Sequence, residues 1–249
     1  MKTQTWMALG LGAALLMAGG GVAARRWAAR RAAARIAAAV SAATAHGGVV
    51  LRVPHVTNAI TLDGDTDDPG WLRPPGPART HGFLLKHGET ARPYSEARAV
   101  WGDGYLYLSL YAADEDIESR TDKPDGPLWL DDAFRVVFSR PGVQYAIDVS
   151  PKAVLTDSMR KGGGEWDYSW SSGAHASQER DGTLNHPDDM DEEWVIELAV
   201  PLDSIGMKGE AGEAIGMTLS RCDTPKGAPR ICAGWGEGWG RSSGTIVLE

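Results

Sequence analysis

The stretch Trp101-Gly-Asp-Gly-Tyr-Leu-Tyr-Leu-Ser-Leu-Tyr constrains the fold of this chain more than any other. From Tyr105 to Tyr111 leucines alternate with tyrosines and a serine, so on a strand successive side chains point to opposite faces. Asp103-Gly104 just ahead supplies the positive φ that a tight hairpin turn requires. Past residue 46 the same grammar recurs: short alternating runs broken by Gly, Pro and Asp, with little helical periodicity. Strands are expected at 59–62, 97–101, 105–112, 133–139, 144–149, 193–200, 215–221 and 230–234. Many short strands separated by turn signals predict an all-β, antiparallel β-sandwich. Pro141-Gly142 makes a brief turn. Residues 114–130 and 153–190, rich in Gly, Asp, Ser and Pro, are expected as surface loops, where such sandwiches often place binding residues.

The N-terminus is built differently. Residues 5–24 form a 20-residue run without a charge, about enough to span a hydrocarbon core as a helix. Arg25, Arg26, Arg30, Arg31 and Arg35 follow it. Basic residues after an apolar run have the wrong polarity for an ordinary export signal, but small residues before His46 resemble a cleavage site. Residues 1–24 are therefore a membrane anchor or signal segment, residues 25–50 an Ala/Arg-rich helical linker, and residues 51–249 the sandwich domain. Either reading puts the protein at the cell envelope, membrane-anchored or exported. The first 45 residues hold six basic side chains and no acidic one, which leaves 19 basic against 33 acidic in the remainder, a net of −14. Such a domain repels a phosphate backbone, so nucleic acid is not an expected partner.

The two cysteines, Cys222 and Cys232, flank Asp-Thr-Pro-Lys-Gly-Ala-Pro-Arg-Ile. This is a hairpin whose arms can carry either a disulfide or two buried thiols.

Four blocks resemble, in order, the family 9 carbohydrate-binding modules and the related DOMON domains. Ile60–Trp71 (ITLDGDTDDPGW) is similar to the opening strand, Asp-Gly turn and buried Trp of that family. ARAVWGDGYLYLSLYAADEDI resembles its hairpin and acidic loop. PLWLDDAFRVVF resembles the block bearing the first sugar-stacking Trp. EEWVIELAVPLDSIG and the terminal AGWGEGWGRSSGTIVL resemble the late strand and the segment bearing the second. The resemblance implies non-catalytic capture of a polysaccharide or oligosaccharide between Trp129 and Trp239, since an indole face suits the C–H face of a pyranose. It also implies polar contacts from Arg135, Asp148 and Gln144. In the family an acidic residue, an arginine and an asparagine serve, where this chain has Arg135, Ala146 and Asp148. Reversal of one charge points away from a neutral glucan and towards a uronic acid or another anion for Arg135. The competing readings are packing of Trp129 under the 114–130 loop and of Trp239 under the C-terminal strand, and a cell-surface interaction domain that has lost sugar binding.

Other chemistry carries less signal. Asp63, Asp65 and Asp67 form an acidic turn that can donate oxygens to structural Ca2+, a metal the resemblance also allows, although EF-hand spacing is absent. With 33 acidic residues, a carboxylate pair at glycosidase spacing arises by chance. None of the six histidines sits in a recognisable nucleophile context, and no enzyme activity is expected. Met159, Met190, Met207 and Met217 could serve haem b as in related electron-transfer sandwiches, but Met207 and Met217 read as core or turn residues and no C-x-x-C-H is present. Trp166, Tyr168 and Trp170 alternate and would share one strand face as a platform, or else cover the core edge. Trp71, Trp101 and Trp194 are expected in the core.

Overall fold

A computed structural model describes residues 9–45, 48–236 and 244–249. The domain is a β-sandwich. In chain order its elements are α1 (Leu9–Ala45), β1 (Val50–Val53), α2 (Pro69–Leu72), β2 (Ala78–Arg79), β3 (Ser95–Gly102), β4 (Tyr105–Ala113), a 3-10 turn (Leu128–Leu130), β5 (Ala133–Arg140), β6 (Val143–Val149), β7 (Leu155–Lys161), β8 (His175–Asp181), β9 (Glu193–Pro201), β10 (Ala214–Asp223), β11 (Ile231–Gly234) and β12 (Gly244–Leu248). The larger sheet runs β1-β12-β10-β5-β6-β7, with β11 beside β12 on the same edge of β10; the smaller runs β2-β3-β4-β9-β8. Apart from the β1–β12 pair, the ladders are antiparallel.

The alternation of β4 sends Leu106, Leu108 and Leu110 inward, against Ile196, Leu198 and Val200 of β9 and Phe134, Val136 and Phe138 of β5, all fully buried. Asp103 and Gly104 both take positive φ at the β3–β4 turn, as the hairpin signal requires. Trp71, Trp101 and Trp194 are buried. Cys222 and Cys232 are disulfide-bonded and directly opposed on β10 and β11, which decides between the two sequence readings.

Several expectations fail. Residues 59–62 form no strand. Asp63 and Gly64 donate their backbone N–H groups to Glu197 of β9, and Trp71 Nε1 donates to the same carboxylate at 2.8 Å. A buried carboxylate thus latches the whole 63–71 segment onto the smaller sheet. Residues 153–190 are not one loop but contain β7 and β8, whose polar sequences Leu-Thr-Asp-Ser-Met-Arg-Lys and His-Ala-Ser-Gln-Glu-Arg-Asp show no apolar alternation. The short β1 and β12 were also unread.

α1 is one continuous helix of 37 residues, about 55 Å long. Ala32, Ile36, Ala39, Val40 and Ala43 are half-buried at helical spacing, facing β1 and β12. Arg35 pairs with Glu210 at 2.9 Å. Gly212 takes φ +85°, and any Cβ there would meet Arg35 Cβ at 2.6 Å, so the helix is seated directly on that turn. Among the described residues no helix is long and apolar enough to cross a membrane; residues 5–8 of the apolar run lie outside them.

One end of the core is polar. Arg221 lies inward on β10, buried, donating through Nη2 to Asp114 Oδ2 at 2.7 Å and Asp223 Oδ1 at 2.8 Å, and through Nη1 to the Ala113 carbonyl at 2.7 Å and Ser95 Oγ at 3.1 Å. Trp194 Nε1 donates to Asp114 Oδ2 at 2.9 Å. Asp132 completes a group of three buried carboxylates with Asp114 and Asp223. Burial, followed by the neighbouring charges of Asp114 and Asp223, pushes the Asp132 carboxyl up to about 8, well above its usual range. A pKa raised on folding means that the native state binds the proton more tightly than the unfolded chain. Its stabilising effect is full below about pH 4 and is lost as pH rises towards about 8. The thermal midpoint is therefore expected to fall by several degrees between about pH 5 and about pH 8.5 in calorimetry, and Asp132→Asn to flatten that slope whatever it does to the midpoint itself.

Candidate functional site: the outer face of the larger sheet

The alternation that buries Phe134, Val136 and Phe138 turns Arg135, Val137 and Ser139 to the opposite, outer face of β5. The register then builds three rows across the sheet. Ser220, Arg135, Asp148 and Thr156 form one; Thr218, Val137, Ala146 and Ser158 the next; Gly216, Ser139, Gln144 and Arg160 the third. Three of the residues expected at the site, Arg135, Asp148 and Gln144, thus share a face.

Their chemistry differs from the expectation in one respect. Arg135 Nη1 donates to Asp148 Oδ2 at 2.6 Å, so its charge is already matched by a carboxylate. Burial pushes Asp148 up to about 6, while Arg135 beside it pulls the other way. Gln144 is held between neighbours: its Nε2 donates to Ser139 Oγ at 3.0 Å, and Arg160 Nε donates to its Oε1 at 2.6 Å. Its amide is thereby fixed in orientation.

Trp166, Tyr168 and Trp170 do not form one platform. Backbone bonds between Met159 and Asp167 fasten the 165–168 segment to β7. The Trp166 ring lies 4.6 Å from the Arg160 guanidinium and 5.2 Å from that of Arg135, ring centroid to guanidinium carbon. Trp170 instead stacks on Tyr145, which packs against the core. Ser158, beside Arg160 on this face, is fully buried, and its Oγ has no hydrogen-bond partner among the described residues. Arg160 and Ser158 escaped sequence reading because their strand was taken for loop; the faint signal was the alternation of Thr156, Ser158 and Arg160 itself.

Trp129 sits on the 3-10 turn just ahead of β5, and at 62% exposed it does not pack under the 114–130 loop. That loop is stapled from beneath. Asp131 Oδ2 accepts the N–H groups of Arg120 and Thr121, Asp132 Oδ2 that of Glu118, and Asp191 Oδ2 that of Ile117. The exposed indole therefore stands on a fixed base. Trp239 lies outside the described residues. Trp235, four positions earlier, is buried against Gly244.

Asp63, Asp65 and Asp67 do not converge as a cation site would need: Asp63 Oδ1 accepts the Asp65 N–H and shapes a turn. The only convergent acidic group among the described residues, Asp114, Asp132 and Asp223, already contains the Arg221 cation. Met207 and Met217 are buried in the core and Met190 is exposed, so these three do not gather around one site. A cleft of about 600 Å³ bordered by Tyr94, Asp114 and Glu192 holds none of the expected ligand residues.

No protein-family model matches the chain, and no curated protein matches it in sequence. Solved structures do. A protein of Bacteroides uniformis, described provisionally as carbohydrate-binding, superposes with a TM-score of 0.61 at 15% identity, over 81% of this chain and 100% of its own. A family 9 carbohydrate-binding module of Caldicellulosiruptor kristjanssonii, solved with cellotriose, superposes with a TM-score of 0.52 at 14% identity, over 80% of this chain and 93% of its own. The domain thus has the fold of the family 9 modules.

The contrast between exposed and buried tryptophans is directly measurable. Trp129→Ala is expected to shift stability by less than about 0.5 kcal/mol in denaturant titration, whereas Trp194→Ala, which empties a core position and removes one donor from Asp114, costs about 3–5 kcal/mol.

Proposed function

We propose that this domain is a non-catalytic glycan-binding module presented at the cell envelope, whose ligand rests on the outer face of the larger sheet. The observation that carries the reading is the exposed, rigidly based indole of Trp129 ahead of the strand that displays Arg135 beside Asp148 and Gln144. An apolar platform next to pre-oriented polar groups is what a sugar ring needs: its C–H face stacks on the indole while its hydroxyls meet donors and acceptors. The shared fold with a module that binds cellotriose supports a saccharide ligand. Trp239 is the second wall of the proposed clamp. No covalent step is required, since desolvation and hydrogen bonding suffice for capture.

The N-terminal helix fits a tether. Its apolar first half and the arginines that follow would hold the domain at a membrane surface, with Arg25, Arg26 and Arg30 all exposed along the way. Calcium plays no part in the proposed contact.

A glycan array probed with the full-length chain in detergent tests the reading. Wild type is expected to bind a restricted set of polysaccharides, and Trp129→Ala to weaken that binding at least about tenfold without loss of folding. Absence of binding across the array would favour an interaction domain with a protein partner.

A further inference from the structure

At one end of the outer face, the β5–β6 turn and the end of β7 enclose a cleft of about 340 Å³, lined by Ser139, Arg140, Gln144 and Arg160 with Gly142, Gly162 and Gly163 at its rim. The Gly162 N–H donates to the Gly142 carbonyl at 2.9 Å and ties the end of β7 to the β5–β6 turn. A Cβ on Gly142, Gly162 or Gly163 would meet nothing within 4 Å, so the rim is open.

The charge of this cleft runs against the rest of the domain. Residues 46–249 carry a net of −14, yet the lining holds no acidic residue. Its guanidinium on the outer face is that of Arg160; Arg140 shares the Phe138 side of β5, and its side chain lies against Gly206. Neither arginine forms an ion pair among the described residues, in contrast to Arg135 two rows away, which is matched by Asp148. Arg160 donates only to the neutral Gln144 amide and lies over the Trp166 ring. Both contacts orient the guanidinium without neutralising it. An unmatched, pre-oriented guanidinium in a concave site is suited to a carboxylate, which it can meet with two parallel hydrogen bonds. Gln144 and Ser139 alongside offer the neutral partners that sugar hydroxyls take.

We propose that this cleft is an acid-reading subsite and that the glycan recognised by the domain is a uronate-containing polysaccharide, its carboxylate bound by Arg160 and its ring directed towards Gln144 and Trp166. The inference rests on the glycan-binding reading above and adds the ligand class. It also moves the anion contact from Arg135, where sequence reasoning placed it, to a residue on the neighbouring β7 edge.

Affinity electrophoresis of the full-length chain in detergent, in gels containing polygalacturonate, its fully methyl-esterified form, a neutral β-glucan or dextran sulfate, tests it. Retardation by polygalacturonate is expected, with loss of at least about tenfold in Arg160→Gln. Esterification should abolish it. The arginines of the N-terminal helix attract any polyanion, so the same gels are run with Arg25, Arg26, Arg30 and Arg31 changed to Gln, and retardation by polygalacturonate should persist. Equal retardation by dextran sulfate and polygalacturonate in that variant would overturn carboxylate recognition in favour of unspecific charge. Binding of the neutral glucan that survives in Arg160→Gln would overturn the acid-reading subsite while leaving the glycan-binding reading intact; no retardation in any gel would defeat both.

Discussion

The buried guanidinium of Arg221 is the interaction on which the rest of this sandwich depends. It stands on an inward position of β10, where Ile215, Met217 and Leu219 would predict another apolar residue, and reaches the opposite sheet at Ser95 and Ala113. Its two carboxylate partners, Asp114 and Asp223, close the ends of β4 and β10. Truncating a buried ion pair on one side leaves an uncompensated charge, costing about 3–5 kcal/mol, a large part of the stability of a domain. The next carboxylate, Asp132, carries the order outward: Asp131 and Asp132 gather the backbone of residues 118–121, and the same loop ends in the turn that displays Trp129. The rigidity of an exposed indole is thus set by a charge network in the core.

The parts of the fold legible in the sequence were those where one face of a strand is buried and the other is not. β4 and its turn were read nearly to the residue, because leucine and tyrosine alternate and Asp103-Gly104 supplies the bend. β8 was invisible because it lies at an edge of the smaller sheet with few buried side chains, and β7 because its inward and outward residues are alike in polarity. Residues 59–62 show the opposite failure. Their apolar pattern serves a segment clamped by Glu197, a contact 126 positions distant in the case of Trp71, which no local pattern encodes. At the site, strand parity and register put Arg135, Asp148 and Gln144 on one face. That Arg135 would be matched by Asp148 was not legible, because the ion pair depends on cross-strand register.

Identity of 14 to 15% with its structural neighbours is too low for the fold to bring a ligand with it. A fold of this kind preserves a platform and varies the groups standing on it. Here the variation has a direction: an acidic chain leaves the Arg160 guanidinium without an ion pair in a concave place that holds no acidic residue, and the neighbouring aromatic and amide groups hold it still. Orientation of donors before the ligand arrives reduces the entropy lost on binding.

The seating of α1 against β1 and β12 bears on geometry beyond the molecule. A domain on a flexible leash samples every heading and must find its ligand by tumbling. This one is joined to its N-terminal helix by a salt bridge and by a glycine that admits no side chain, so swivel about the helix axis is blocked. Once the helix is fixed in a layer, the bearing of the ligand face is fixed with it, like a vane set on its mast. On the proposed tether, encounter becomes a search in two dimensions at one elevation, and glycan strands lying at that height are favoured over identical strands elsewhere.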